Sequence, residues 1–134
     1  MKKTLTIFFA VFLIVSLSVG SVNAMSGDFS TMAQNYRTAN AKIGMDNGVV
    51  NLSGKMIGIE GTTTKVSVHL YLQQYKNGKW TDYDDWLESK NGTSLTVSKT
   101  VTVPTGYKYR AKASCYAYAG NNCEHVVKYS GEVQ

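Results

Sequence analysis

The sequence predicts an all-β domain, an antiparallel β-sandwich of about seven strands, on three observations. Apolar and polar residues alternate through most of the chain beyond residue 35, and a two-residue period is typical of half-buried strands. The single proline and many of the 12 glycines stand between these alternating runs, where they favour turns. No stretch in this part of the chain has the period of an amphipathic helix. Short alternating strands joined by tight turns are typical of β-sandwiches.

The first two strand candidates cover residues 36–43 and 49–59. In the second candidate, Val50 and Ile57 fall on opposite phases of the alternation, so an unbroken strand would place them on opposite faces. Gly54 stands between them, and an isolated glycine in a strand is typical of a bulge. We therefore expect a bulge at Gly54 that restores the register.

The central hairpin has the clearest signal in the chain. Its first strand carries four apolar residues at strict two-residue spacing, namely Val66, Val68, Leu70 and Leu72. Asn77-Gly78 follows, and this dipeptide suits the two positive φ angles of a type I′ turn. The return strand is expected over residues 79–87.

A further strand is expected over residues 95–103, and the longest alternation of the chain follows it. The residues predicted to face inward there are Tyr107, Tyr109, Ala111, Ala113, Cys115 and Ala117. A turn at residues 120–122 then leads to the last strand, in which Cys123, His125, Val127 and Tyr129 are expected to continue the inner face.

One segment resembles a known family. Val101-x-Val103-Pro104-Thr105-Gly106-Tyr107-x-Tyr109 looks like the E–F corner and F strand of fibronectin type III-like and immunoglobulin-like domains. The resemblance implies that Tyr107 or Tyr109 hydrogen-bonds back to the corner. With Tyr75-Lys76-Asn77-Gly78-Lys79-Trp80, most of residues 65–127 is similar to small secreted proteins of Gram-positive bacteria whose function is uncharacterised. These motifs imply a fold and no activity. The strand of Val66 departs from the immunoglobulin pattern because it lacks a core tryptophan.

The N-terminus has the features of an export signal. Lys2 and Lys3 precede an apolar run over residues 5–19, which is shorter than the roughly 20 residues of a membrane-spanning helix. Small residues lead up to Ala24, as signal peptidase requires. We therefore expect a signal peptide over residues 1–24 cleaved after Ala24, a flexible leader over residues 25–35, a single domain over residues 36–134, and a secreted protein with no stable membrane anchor.

Charge and motif content argue against several classes of function. The formal net charge of +5 becomes +3 once Lys2 and Lys3 are removed, and the remaining cations form no stripe of the kind that binds nucleic acid. The sequence has no phosphate-binding loop and no nucleophile elbow. We expect no enzyme activity, no cofactor, no nucleic-acid partner and a monomer.

The two cysteines predict a disulfide. If the last hairpin closes about Ala119, Cys115 and Cys123 lie directly opposite each other, and export allows the bond to persist. The alternative is a reactive cysteine with His125 as its base. Two cysteines and two histidines without zinc-finger spacing do not predict a metal site.

The most suggestive surface lies opposite the face of Leu70. A two-residue turn would pair Tyr75 with Trp80 and Gln73 with Asp82 on this face, and the pairs further along add more polar and aromatic groups. If the strand of Lys108 and Arg110 lies next to this hairpin, as in the resembled folds, it adds a row of cations. The candidate binding residues are Tyr71, Tyr75, Trp80, Asp82, Asp84, Trp86, Lys108 and Arg110. Such rings and charges can stack on sugars or contact a protein. Alternatively, the cross-strand aromatic pairs only stabilise the hairpin, and a bulge at Asp84-Asp85 would turn Trp86 into the core.

The carboxylates of the return strand do not make a calcium or hydrolase site. Asp82, Asp84, Asp85 and Glu88 lack the EF-hand spacing, and a strand cluster open to water does not form the cleft that glycoside hydrolysis needs. The sequence thus predicts a secreted, non-enzymatic module that binds a cell-envelope glycan or polymer, or a protein partner. The alternative is a secreted antimicrobial or toxin-like effector that acts on other cells.

Overall fold

The computed structural model describes residues 35–134, and these residues confirm the predicted antiparallel β-sandwich. The strands are β1 (Tyr36–Asp46), β2 (Val49–Gly58), β3 (Lys65–Lys76), β4 (Lys79–Asn91), β5 (Ser94–Thr102), β6 (Lys108–Ala119) and β7 (Asn122–Val133). One sheet has the order β1-β2-β5 and the other β4-β3-β6-β7. The predicted signal peptide and leader, up to residue 34, lie outside the described residues. Asn35 is buried, and its backbone N donates to Glu124 Oε2 at 2.9 Å.

The core lies between the two sheets and follows the predicted alternation. The side chains of β3 and β6 that are fully excluded from solvent are Val66, Val68, Leu70, Leu72, Tyr109, Ala111, Ala113, Cys115 and Ala117. From the three-stranded sheet, Val50, Met56 and Val97 meet them. Burying a large apolar side chain of this kind contributes about 1.5–3 kcal/mol, so this layer carries much of the stability.

The bulge predicted at Gly54 is wrong. Residues 49–57 pair with β5 in unbroken register, and Met56 takes the next inward position after Gly54, while Ile57 faces outward. The glycine has a different purpose, because a Cβ there would lie 3.0 Å from both Ala113 Cβ and Val68 Cγ1. Gly54 therefore allows β2 to approach the opposite sheet closely.

The corner before β6 is closed by Tyr109, one of the two tyrosines expected to make this bond. Its hydroxyl donates to the carbonyl oxygen of Pro104 at 2.6 Å and accepts from Gln74 Nε2 at 3.1 Å. Burial raises the pKa of Tyr109, although the Gln74 hydrogen bond acts in the opposite direction. The phenol is thus held neutral inside the core, where both of its neighbours are satisfied.

The central hairpin has the predicted two-residue turn, since Asn77 and Gly78 have φ angles of 52° and 77°. The register then shifts at Tyr83, because Gln73 pairs with Asp82 while Leu72 pairs with Asp84. This bulge moves the rest of β4 by one residue.

The bulge corrects the predicted placement of two candidate binding residues. Trp86 lies opposite Leu70 and packs against the core, and Asp84 lies on the same side of the sheet. Their predicted positions on the outer face are wrong. The alternative, in which a bulge turns Trp86 into the core, is confirmed, but the bulge lies at Tyr83 and not at Asp84-Asp85.

The predicted disulfide is also wrong in this structure, because both cysteines are free thiols. The last hairpin turns at Gly120-Asn121, so Tyr118 pairs with Cys123 and Cys115 pairs with Val126. Relative to a hairpin centred on Ala119, the strand pairing is shifted by an odd number of residues. Cys123 and His125 therefore lie on the outer face of the sheet. Cys115 stays buried on the inner face.

Candidate functional site

The outer face of the four-stranded sheet collects rings from all four of its strands. We call it the aromatic face, and its rings are those of His69, Tyr71, Tyr75, Trp80, Tyr116, Tyr118, His125 and Tyr129. The same alternation that buries Leu70 and Ala113 directs these side chains outward. Tyr75 and Tyr129 are exposed, at 39% and 52%, whereas the rings of Tyr71 and Trp80 are half-buried.

Arg110, on β6, is the most constrained cation of this face. Its guanidinium carbon lies 4.3 Å from the ring centroid of Trp80 and 4.4 Å from that of Tyr129, which come from strands on its two sides. Its Nε donates to Gln73 Oε1 at 2.8 Å, and Gln73 Nε2 donates to Asp82 Oδ1 at 2.8 Å. Two cation–π contacts and one hydrogen bond therefore fix the guanidinium in place.

The terminal nitrogens of Arg110 are left available. Within residues 35–134, the two ion pairs join His69 to Asp85 and Lys108 to Glu132, so neither involves Arg110. Its Nη1 and Nη2 make no hydrogen bond to another group in this part of the chain. Gln73 separates the guanidinium from Asp82, which keeps the nearest hydrogen-bonded carboxylate from neutralising it directly.

A shallow depression of about 320 Å³ lies beside Arg110, lined by Tyr75, Trp80, Lys108 and Glu132. The rings of Tyr75 and Trp80 are 5.2 Å apart, centroid to centroid. Lys108 Nζ lies 3.9 Å from Glu132 Oε2, which is a loose and exposed pair. Two rings, an ammonium group and a carboxylate thus surround a volume at the lower end of the range of about 300–1,000 Å³ for small-molecule sites.

A hydrogen-bonded chain occupies the middle of the face. His69 Nε2 lies 2.5 Å from Asp85 Oδ2, and His69 Nδ1 lies 2.8 Å from the Tyr71 hydroxyl. The two rings stack at 4.1 Å, and Lys112 Nζ lies 4.8 Å from the Tyr71 ring. Burial, and then the carboxylates of Asp82 and Asp85, raise the pKa of Tyr71. The chain therefore holds a neutral phenol in a fixed orientation and does not activate it as a nucleophile.

The far end of the face is a second ring cluster. Tyr116 and His125 stack at 4.3 Å with an angle of 10° between their planes, and His125 Nε2 lies 2.6 Å from Ser114 Oγ. Lys65 Nζ lies 5.3 Å from the Tyr118 ring. Since His125 is committed to Ser114 and stacked on Tyr116, nothing here supports its predicted alternative role as a base for a cysteine.

Six of the eight predicted binding residues lie together on the aromatic face: Tyr71, Tyr75, Trp80, Asp82, Lys108 and Arg110. Sequence reasoning missed two residues that matter to it. Gln73 was predicted to lie on this face opposite Asp82, but it was not among the candidate binding residues and its hydrogen bond with Arg110 was not predicted. Tyr129 was predicted to face inward because the turn was expected over residues 120–122, whereas Asn122 already pairs with Ala119 in β7.

The outer face of the three-stranded sheet offers a contrast. Its depression, of about 330 Å³, is lined by Lys42, Ile43, Gly44, Asn51, Leu52, Ser53, Ser98, Lys99 and Thr100. No aromatic ring contributes to this lining. Thr100 Oγ1 donates to Asn51 Oδ1 at 2.7 Å, so part of the polar surface is internally satisfied. This face supplies matched control positions.

Two features are absent from residues 35–134. No group of three or more histidine, cysteine or acidic side chains in this range is arranged to hold a metal ion. No helix in the described part of the chain is long and apolar enough to cross a membrane.

Comparison with known proteins gives no family. No family model matches the sequence, and no curated protein matches it. The structure is similar to the solution structure of CsgH from R. palustris, with a TM-score of 0.42 and 11% identity over 69% of this chain and 90% of that chain. It is also similar to a protein from Archaeoglobus fulgidus, with a TM-score of 0.37 and 13% identity over 73% of this chain and 94% of that chain. At these values neither structure assigns a family or a ligand.

Proposed function

We propose that the protein is an exported, non-enzymatic module of the immunoglobulin/fibronectin type that binds a cell-envelope glycan on its aromatic face. The observation that carries the proposal is the pair of rings, Tyr75 and Trp80, that borders a depression next to the fixed guanidinium of Arg110. Export rests on the predicted signal in residues 1–24.

The chemistry of this surface suits a sugar. Aromatic rings bind the apolar faces of sugar rings, and planar charged groups at their edges bind hydroxyls through directed hydrogen bonds. Lys108 and Glu132 supply a donor and an acceptor beside the rings of Tyr75 and Trp80. Exposed apolar surface is also common at interaction sites, and Tyr75 and Tyr129 are exposed on this face.

The competing interpretation is that these rings only stabilise the hairpin. A cross-strand pair such as Tyr75–Trp80 contributes up to about 1 kcal/mol on that account. It does not explain why the guanidinium is fixed by three groups and yet left with unpaired terminal nitrogens. A binding role explains both features.

The test is sedimentation of the mature chain, residues 25–134, with purified insoluble cell walls of a Gram-positive bacterium. We expect saturable binding that Trp80→Ala weakens by about tenfold or more, which corresponds to about 1.4 kcal/mol. Ser98→Ala, on the outer face of the three-stranded sheet, is the matched control and should bind like the wild type. Absence of wild-type binding, or equal binding by Trp80→Ala that is folded, would contradict the proposal.

The same samples separate the alternatives predicted from the sequence. A toxin-like effector would kill sensitive cells at concentrations that saturate their walls, whereas a binding module would leave their viability unchanged. A protein partner in the wall would be lost after protease treatment of the walls, whereas a glycan would survive it.

A further inference from the structure

We propose that the sugar unit bound on the aromatic face carries a carboxylate, as a uronic acid does, and that Arg110 is the residue that selects it through Nη1 and Nη2. This inference rests on the proposed function and narrows its ligand to an acidic glycan.

The first argument is the geometry of the guanidinium. Of its polar groups, Nε is engaged by Gln73 at 2.8 Å, and the rings of Trp80 and Tyr129 lie against the carbon centre. The edge that carries Nη1 and Nη2 is the part left for a ligand. Two parallel N–H groups in one plane match the two oxygens of a carboxylate, and this fit is the reason arginine recurs in carboxylate recognition. Because the side chain is already fixed, little conformational freedom is lost on binding.

The second argument is the distribution of charge. Two of the acidic groups around Arg110 are engaged elsewhere, since Asp82 accepts from Gln73 and Asp85 contacts His69. The third, Glu132, lies opposite Arg110 in the strand register and makes a loose contact of 3.9 Å with Lys108. The cations are in excess on β6, where Lys108 and Lys112 flank Arg110 on the same face. Lys112 forms no ion pair within residues 35–134 and lies over the Tyr71 ring. Lys108, Arg110 and Lys112 are matched in number by Asp82, Asp85 and Glu132, but no carboxylate of residues 35–134 pairs with the terminal nitrogens of Arg110. An acidic sugar would form a charged pair with these donors, whereas a neutral sugar would not.

The third argument is the spacing between the depression and the guanidinium. Lys108, which lines the depression, precedes Arg110 by two residues on β6, or about 7 Å along a strand. Trp80 belongs to both places, since it lines the depression and contacts the guanidinium. A sugar ring against Tyr75 and Trp80 would therefore hold a carboxylate attached to that same ring near Arg110. A phosphate that links successive units of a polymer is not carried in this way on the stacked ring.

The test measures affinity for acid and neutral forms of the same sugar. Oligomers of galacturonate and of glucuronate are titrated into the mature chain by calorimetry, beside their methyl esters, which keep the sugar and remove the charge. We expect the wild type to bind at least one of the acids about tenfold or more tightly than its ester.

Three variants locate the selectivity. Arg110→Gln should reduce the ratio of acid to ester affinity to about one. Arg110→Lys keeps the charge but lacks the two parallel donors, so it should lose most of the ratio. Lys42→Gln removes one charge from the other sheet and should leave the ratio unchanged. Thermal unfolding of each variant confirms that it is folded.

The outcomes that overturn the inference differ from those that overturn the proposed function. Equal affinity of the wild type for acid and ester, a ratio unchanged in Arg110→Gln, or preference for poly(glycerol phosphate) over both acids would refute carboxylate selection. Binding to walls without binding to either uronate would refute it as well. In all of these cases the wall-sedimentation result with Trp80→Ala still decides the proposed function by itself.

Discussion

The two faces of the central strands β3 and β6 are built from neighbouring residues and yet follow different rules. On the inner face, Leu70 and Ala113 are completely buried and contact other apolar groups. On the outer face, Tyr71 is held by His69 of its own strand and by Lys112 of β6, and Arg110 is held by Gln73 of β3. The inner face depends on the size and polarity of each residue, whereas the outer face depends on which side chains the register brings together. Substitutions on the inner face should therefore affect mainly stability, and substitutions on the outer face should affect mainly ligand binding.

The largest expected effect is a core truncation. Leu70→Ala should lower the free energy of unfolding by about 2–5 kcal/mol, because it leaves a cavity in the packed layer. Tyr71→Ala, one residue away on the outer face, should cost only about 1–2 kcal/mol, since it removes one ring stack, one hydrogen bond and the contact with Lys112. Urea denaturation of the two variants measures the difference. If Tyr71→Ala were as costly as Leu70→Ala, the aromatic face would be structural.

Removal of the Tyr109 hydroxyl tests the hydrogen bonds of the inner face. Tyr109→Phe should lower the free energy of unfolding by about 1–3 kcal/mol, because the Pro104 carbonyl and Gln74 each lose a buried partner. Tyr107→Phe is the matched control at the same corner. The Tyr107 hydroxyl makes neither the bond to Pro104 nor the bond to Gln74. The free energy of unfolding should therefore change by no more than about 0.5 kcal/mol. Similar losses in both variants would contradict the assignment of the corner bond to Tyr109.

The cysteines report on the two faces without any mutation. Cys123 is exposed and should react at once with a thiol reagent at pH 8, whereas Cys115 is buried and should react only on unfolding. Burial raises the pKa of the Cys115 thiol to about 11, which also keeps it unreactive. We expect one titratable thiol in the native protein and two in denaturant without reductant. If no free thiol were detected in denaturant, the two cysteines would be joined in a disulfide, which would contradict the structure.

A smaller effect follows in alkaline solution. The pKa of the Cys115 thiol rises on folding from about 9 to about 11, so the folded state holds its proton more tightly than the unfolded state. The stabilisation is therefore complete below about pH 9 and is lost as the pH rises to about 11. Cys115→Ala should show a shallower loss of stability over this interval than the wild type, measured by urea denaturation at several pH values. Parallel pH profiles would contradict it.

Much of the fold could be predicted because local signals determine it. The alternation from Val66 to Leu72 and the Asn77-Gly78 turn each define their element without help from distant residues. The wrong predictions concern places where a single residue sets the register between two strands by forming or not forming a bulge. The bulge at Tyr83 could not be predicted because no glycine stands there. Gly54 predicted a bulge, but its actual role is to allow close packing against the opposite sheet.

The candidate site was predicted in part for the same reason. The pairing of Tyr75 with Trp80 follows from the turn that joins them, so it was correct. The turn at residues 120–121 lies in a run of glycine and asparagine that offers several equivalent turn positions. A shift of the pairing by an odd number of residues there places both Cys123 and Tyr129 on the outer face instead of the inner face. The contact of Arg110 with Trp80 and Tyr129 joins three strands, and no local pattern predicts it.

The central claim is that a glycan binds the aromatic face and not the rest of the surface. The most direct measurement is the change in NMR chemical shifts when soluble wall fragments are added to the ¹⁵N-labelled mature chain. We predict shifts at the Trp80 indole N–H, the Arg110 Nε–H and the amides of residues 73–75, with none at Ser53, Ser98 or Thr100. Shifts confined to those three residues, or absent altogether at saturating fragment, would contradict the account.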